Sequence, residues 1–325
     1  MSYKSPKWNN GSAPPLSAEN LQDLTDAVQE QGEALETMCN PNMLDNWYFG
    51  NPVNQRGQTS YTGVGYGIDR WRGSAEDVTV AVATGGISVS GKQFQRLEQG
   101  VEDAQSLNGI AVTFSALVKN PNGNLRLALY NATTGVLITQ DAQASEDFQL
   151  VQITATPAIS AGDSFSAFLY PGANDATTVR TCLIKAVKLE LGSQQTLAHQ
   201  DADGNWVLNE IPRFSDQLAA CQRYLIPINN WTRVRASYYS ANALFFPVPI
   251  PSTMRTTPAI LDPSGALAVQ SVSGTDQTGF TFECNMSTPG SISVRAVKDS
   301  HGLTDGQLVK RGNGSFQAVF FSSEL

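Results

Sequence analysis

The chain has two histidines, His199 and His301, and neither sits in a pattern that makes chemistry. No HExxH helix, GxSxG turn or Cys/His arrangement is present to turn one into a metal ligand or a base. Both read as ordinary surface residues, His301 within the turn KDSHGLTDG. Carboxylates are plentiful, but glycoside hydrolysis needs two of them roughly 5–10 Å apart in the fold, a spacing that sequence does not display. Glu76-Asp77, Glu102-Asp103 and Glu146-Asp147 read as solvated loop charges. DADGN (201–205) has the acids of a calcium loop without its ligand spacing or terminal glutamate, and reads as a turn. GVGYG (63–67) lacks the third glycine and the following helix of a dinucleotide loop, and reads as a flexible turn. No catalytic residue, metal ligand or cofactor is expected, and the chain is read as not an enzyme.

Aromatic residues carry more information. Trp47, Tyr48, Phe49, Tyr61, Tyr66 and Trp71 form one group, and Trp231, Tyr238, Tyr239, Phe245 and Phe246 another. Aromatic faces stack on the C–H surfaces of sugars when exposed and fill cores when buried. The first group is expected in a core, because Trp71 opens a strand. In the second, Trp231, Tyr238 and Tyr239 lie in a polar stretch rich in Asn and Ser, which makes them the candidates for binding a sugar.

These residues need elements to hold them. LSAENLQDLTDAVQEQGEALETMC (16–39) predicts a helix: Ser17 can cap it, Glu19 and Asp23 suit its positive end, and Asn40-Pro41 stops it. Its apolar residues form a heptad seam, with Leu21, Val28 and Leu35 at one position and Leu24, Gln31 and Met38 at the other. A narrow seam with polar flanks predicts a self-associating, coiled-coil-like helix. It is short, and Gly32 weakens it by ~1 kcal/mol relative to alanine, so the domains behind it must help.

The rest reads as strands. VTVAVATGGISVSG (78–91), the three runs of 109–140, the two of 148–172 and RTCLIKAVKLELG (180–192) alternate with turn signals at the spacing of an antiparallel sandwich or jelly roll. DADGNWVLNE (201–210) predicts a hairpin, FSDQLAACQRYL (214–225) a short helix capped by Ser215, and the remainder a second small sandwich. The fold class expected is mainly β: an N-terminal segment and helix over 1–41, a jelly-roll-like domain over 42–195 and a C-terminal β-sandwich over 196–325.

Composition limits the partners. Net charge is −8 and charged residues are only 15%, below the ~25% usual in soluble domains. Such a surface repels nucleic acid. No stretch has the ~18–20 apolar residues of a membrane span, and the first residues predict no secretory signal. Cys39, Cys182, Cys221 and Cys284 lie far apart and are expected as free thiols.

Several segments resemble bacteriophage and prophage tail or fibre proteins. SPKWNNGSAPPLSAENLQDLTDAVQ is similar to their N-terminal attachment segment. Leu44-Asp45-Asn46, Asn51-Pro52-Val53-Asn54-Gln55-Arg56-Gly57 and Asp69-Arg70-Trp71 resemble landmarks at the start of a jelly-roll domain of such virion proteins. VKLELGSQQT resembles that domain's exit, and FSDQLAACQRYL the opening of the C-terminal domain. The resemblance implies a homotrimeric virion protein, made in the host bacterial cytoplasm and joined to other virion proteins through its N-terminal segment. The expected role is host attachment by a tail fibre or tail tip that recognises a cell-surface glycan. A purely structural head-fibre, collar or baseplate protein and a glycan-degrading tailspike are the alternatives.

Overall fold

The computed structural model describes residues 21–28, 40–173, 176–228, 234–262, 266–271, 274–285, 287–303, 306–310 and 319–324. They are mainly β, with two short helices, and every strand pairing among them is antiparallel.

The first domain opens with β1 (Ser60–Thr62), β2 (Gly65–Tyr66), β3 (Arg72–Gly73), β4 (Thr79–Ala83), β5 (Gly86–Gly91) and β6 (Leu97–Gly100). It continues with β7 (Val112–Asn120), β8 (Leu125–Asn131), β9 (Gly135–Ala142), β10 (Ser145–Ala155), β11 (Phe165–Tyr170) and β12 (Arg180–Leu191). One sheet runs β1-β4-β5-β12-β7-β10 and the other β2-β3-β6-β11-β8-β9. Strand alternation explains the layering. Leu125, Leu127 and Leu129 of β8 and Phe165, Ala167 and Leu169 of β11 face Ile87, Val89, Phe114, Ala116 and Ile184 of the other sheet across one core. The runs expected over 78–91, 109–140, 148–172 and 180–192 are all present as strands. Gly85 takes a left-handed φ of 83° in the β4–β5 turn, and a Cβ on Gly86 would stand 2.1 Å from the Ile184 carbonyl oxygen.

The first aromatic group is core in part, as its sequence context predicts for Trp71: Tyr48 and Tyr61 pack partly buried against the core, and Tyr66 is half-buried outside it. Trp47, Phe49 and Trp71 are buried, with Phe49 and Trp71 edge to face at 5.4 Å. The DADGN hairpin forms as β13 (Ala198–Gln200) and β14 (Trp206–Leu208). Leu197 and Ala198 belong to the first core and Trp206 and Leu208 pack on it, beyond the residue-195 boundary drawn from the sequence. Beside them Lys188 is fully buried and donates to Glu210 at 2.8 Å.

The C-terminal region divides into three short sheets. Leu225–Ile228, Val319–Ser322 and Ala259–Leu261 make one; Val234–Arg235, Gln307–Lys310, Leu267–Gln270 and Asp276–Gln277 the second; Ser237–Ser240, Ala243–Val248, Ile292–Val297 and Thr281–Cys284 the third. They share a core that includes Leu244, Phe246, Val269, Val294, Leu308 and Phe321.

Helix α1 covers 21–28 of the described residues, and Leu21, Leu24 and Val28 are 49%, 48% and 61% exposed. Gln31, Leu35 and Met38 lie outside the described residues. Helix α2 is Phe214–Gln222, and its N-cap is Arg213, not Ser215. Ser215 stands one position inside the helix and bonds the Asp216 carboxylate, so it cannot reach back to cap.

The segments that resemble virion proteins meet at the joint between the domains. Asn46, itself buried, donates to the Val53 and Asp69 carbonyls and accepts from Val53 N–H. Arg70 is 2% exposed. Its Nε bonds Asp45 at 2.9 Å, and its guanidinium lies 3.4 Å from the Tyr224 ring centroid, just past α2. Gln55 donates to both Asp69 and the Leu225 carbonyl. Arg56 holds Glu324 near the C-terminal end. Glu102 is not the solvated loop charge expected of it: it takes both Arg223 guanidinium nitrogens and the Tyr224 hydroxyl. Burial pushes its carboxyl up, but the bonds from Arg223 and Tyr224 outweigh that and hold it below the usual range.

Asp69 behaves oppositely. Burial raises its pKa to about 6, against the lowering bonds from Gln55 and the nearby Arg56. A carboxyl whose folded pKa exceeds its unfolded value favours folding fully below the unfolded value, and that contribution is lost as pH rises through about 6. The effect is on the order of 2–3 kcal/mol. Melting of the chain relative to Asp69→Asn should therefore rise as pH falls from 7 to 5. A difference that stays flat over that window would show that Asp69 is not strained by its burial.

Candidate functional site

Antiparallel sheets that face water on one side normally show polar residues there. The outer face of the second sheet departs from this. In β8 the outward residues are Arg126, Ala128 and Tyr130, and in β11 they are Ser166, Phe168 and Tyr170. Register sets them in rows. Tyr66, Arg72, Glu98, Phe168, Ala128 and Thr139 stand side by side across the six strands. The next row places Gly100, Ser166, Tyr130 and Val136 together.

Tyr130 stacks on Phe168 at 4.8 Å, and Tyr170 meets Phe168 edge-on at 6.1 Å. The Arg96 guanidinium lies 4.0 Å from the Phe168 ring centroid. Phe168 is thereby buried, and Tyr130 is half-buried. Glu98 accepts from Arg72 on one oxygen and from Arg96 on the other. Arg126 and Asp141 pair through two bonds at the other edge.

A cleft of about 230 Å³ opens on this face, lined by Tyr66, Arg72, Glu98, Gly100 and Ser166 among others. The gap follows from residue size: Gly100 has no side chain and its neighbour Ser166 a small one. The volume lies under the roughly 300–1,000 Å³ of drug-sized sites and suits a single ring. Burial raises the Tyr66 and Tyr170 phenols above their ordinary pKa, so both remain neutral hydroxyl donors near pH 7. Hydroxyls, a shared carboxylate, guanidinium groups and ring faces together are what a sugar needs: partners for its O–H groups and an apolar platform for its C–H face.

Two carboxylates of this face, Glu98 and Asp141, stand wider apart than a glycosidase pair. Glu98 and Asp141 are on β6 and β9, three strands apart, which is roughly 14 Å at the usual inter-strand spacing. A glycosidase pair needs roughly 5–10 Å. Among the described residues no three of His, Cys, Asp and Glu gather as a metal site, and no helix is long and apolar enough to cross a membrane.

The residues proposed from sequence are elsewhere. Trp231 lies outside the described residues. Tyr238 is in the Ser237–Ser240 strand, paired with Leu244. Tyr239 is 62% exposed and stands edge-on to Phe245 at 5.0 Å, while Phe246 is core. Asp201 accepts from the Asp203 and Asn205 N–H groups, an ordinary turn. His199 is exposed. His301 corrects its surface reading: it is buried, tilted against Phe280 at 5.9 Å, and its ring nitrogens meet the Ser240 carbonyl and the Leu303 N–H. It closes a loop. Cys182, Cys221 and Cys284 are free thiols, and burial raises Cys182 to about 12 and Cys284 to about 11.

Tyr66, Arg72, Glu98, Tyr130, Phe168 and Tyr170 were not singled out as a group by sequence reasoning. A signal for three of them is present in LRLALYN and FSAFLY, where Tyr130, Phe168 and Tyr170 occupy the phase opposite the leucines; Tyr66, Arg72 and Glu98 lie outside these stretches.

No protein-family model matches the chain, and no curated protein does. Several solved structures are similar at a distance. The tandem CBM22-1–CBM22-2 domain of Xyn10C from Paenibacillus barcinonensis is 11% identical, with 88% of this chain and 97% of that chain covered and a TM-score of 0.32. TmCBM61 in complex with β-1,4-galactotriose is 14% identical, with 47% of this chain and 99% of that one covered and a TM-score of 0.29. The enzymatically active domain of bacteriophage CBA120 tailspike protein 4 is 12% identical, with 46% of this chain and 21% of that one covered and a TM-score of 0.28.

Proposed function

We propose that the chain is a non-enzymatic phage virion protein, a trimeric tail-fibre or tail-tip component that recognises a host surface glycan. The observation that carries the glycan reading is the cleft on the solvent face of the second sheet. There Tyr66, Arg72, Glu98 and Ser166 stand beside the Tyr130–Phe168 stack. The exposed Leu21, Leu24 and Val28 support association through the N-terminal helix. The virion assignment rests on the segments over 5–29, 44–71, 187–196 and 214–225 that resemble phage proteins. A single shallow cleft binds weakly, and three linked copies raise avidity without any new contact.

Tyr239, exposed on the C-terminal region, gives a second place where a receptor can be met. A purely structural component and a tailspike enzyme remain the rival roles. Polysaccharide stripped from host cells should displace the labelled chain from those cells, and incubation with the chain should leave the polysaccharide's length unchanged. Binding that the polysaccharide does not compete with, or no binding to any host, would favour the structural role. Shortened polysaccharide would establish the enzyme.

A further inference from the structure

We infer that the glycan taken by the cleft is anionic, carrying a carboxylate or phosphate group that meets Arg72. This rests on the glycan reading and adds the ligand's charge. Glu98 is one carboxylate between two guanidinium groups: Arg72 holds one of its oxygens and Arg96 the other. The three groups together keep a net positive charge in a chain whose total is −8.

The two arginines differ in what they still offer. Arg96 is spread over the Phe168 ring and bonded through Nε. Arg72 lines the cleft, meets Glu98 through Nη1, and keeps 39% of its side chain open to solvent. A guanidinium has five N–H donors, and a carboxylate or phosphate takes two of them side by side. Behind the cleft, Arg70 donates to the carbonyl of Gly100, which lines it, and Arg70 Nη1 is buried without a hydrogen-bond partner. Asp45 offsets the charge of Arg70 at Nε. Glu324 and Asp69 are buried on Arg56 and do not line the cleft. The charged groups that line the cleft are Arg72 and Glu98; Arg96 stands on the other oxygen of Glu98, and Glu324, whose charge reaches Tyr66, is held by Arg56.

The probe is an array of bacterial surface polysaccharides, some bearing uronate groups, some bearing phosphate and some neutral, offered to the full chain. Acidic members should bind, and added salt should weaken them, because partly exposed charges are screened. The uronate and phosphate arms show which anion is read. Arg72→Gln should weaken the acidic members at least tenfold with melting unchanged, since Glu98 keeps Arg96. Binding to neutral members alone, or acidic binding that Arg72→Gln leaves intact, overturns the inference and leaves the glycan reading standing. Binding to no member overturns both.

Discussion

Replacing Leu21, Leu24 and Val28 together by aspartate should turn a trimer into a monomer. Avidity for a glycan-coated surface should then fall by roughly 10²–10⁴-fold, the range over which linked sites exceed single ones. Affinity for a soluble, monovalent oligosaccharide should not change. The three residues lie on α1, are about half exposed within one chain, and make up the first part of the heptad seam. Apolar side chains placed this way gain burial only against another helix. Aspartate in their place sets three like charges against those of each neighbouring copy. Because the positions are exposed, the substitution leaves the β domains untouched, so melting of the domains should be unchanged. Light scattering measures the state. A wild-type chain that is a monodisperse monomer at micromolar concentration, or a triple variant that remains trimeric, contradicts the seam.

Much of the first domain was legible in the sequence because strand alternation and turn chemistry are local. The β4–β5 turn has its Gly-Gly, the β13–β14 hairpin its Asp-Gly, and each leucine of LRLALYN announces an inward phase. Other features were not legible because they depend on register between distant strands. Nothing local says that Glu98 will stand beside Phe168, or that Gly100 will leave a gap beside Ser166. The joint was half visible. Its segments stood out by resemblance, but what they do came only from packing: Asn46 and Asp69 are buried polar groups that tie 46–70 together, and Arg70, Gln55 and Arg56 reach from there to Tyr224, Leu225 and Glu324. His301 and Glu102 were misread for the same reason. Both sit in loops that look solvated one residue at a time, and both are covered by partners far along the chain.

The central claim is that the solvent face of the second sheet is where the glycan is held. Tyr66 lines the cleft, and Tyr130 offers the ring stacked on Phe168 beside it. Truncating an aromatic anchor in a binding site commonly costs ~2 kcal/mol or more, and 1.4 kcal/mol is tenfold in affinity. Tyr66→Ala with Tyr130→Ala should thus weaken monovalent binding at least a hundredfold. Phe168 and the leucines beneath remain, so trimer size should hold. Tyr239→Ala is the control, on the C-terminal region and exposed. The deciding measurement is host-cell binding by the full chain and these variants, with melting and light scattering alongside. The account predicts that the Tyr66/Tyr130 variant loses binding as a folded trimer while Tyr239→Ala binds as wild type. A Tyr66/Tyr130 variant that binds normally, with binding lost in Tyr239→Ala, would contradict it and move the receptor site to the C-terminal region.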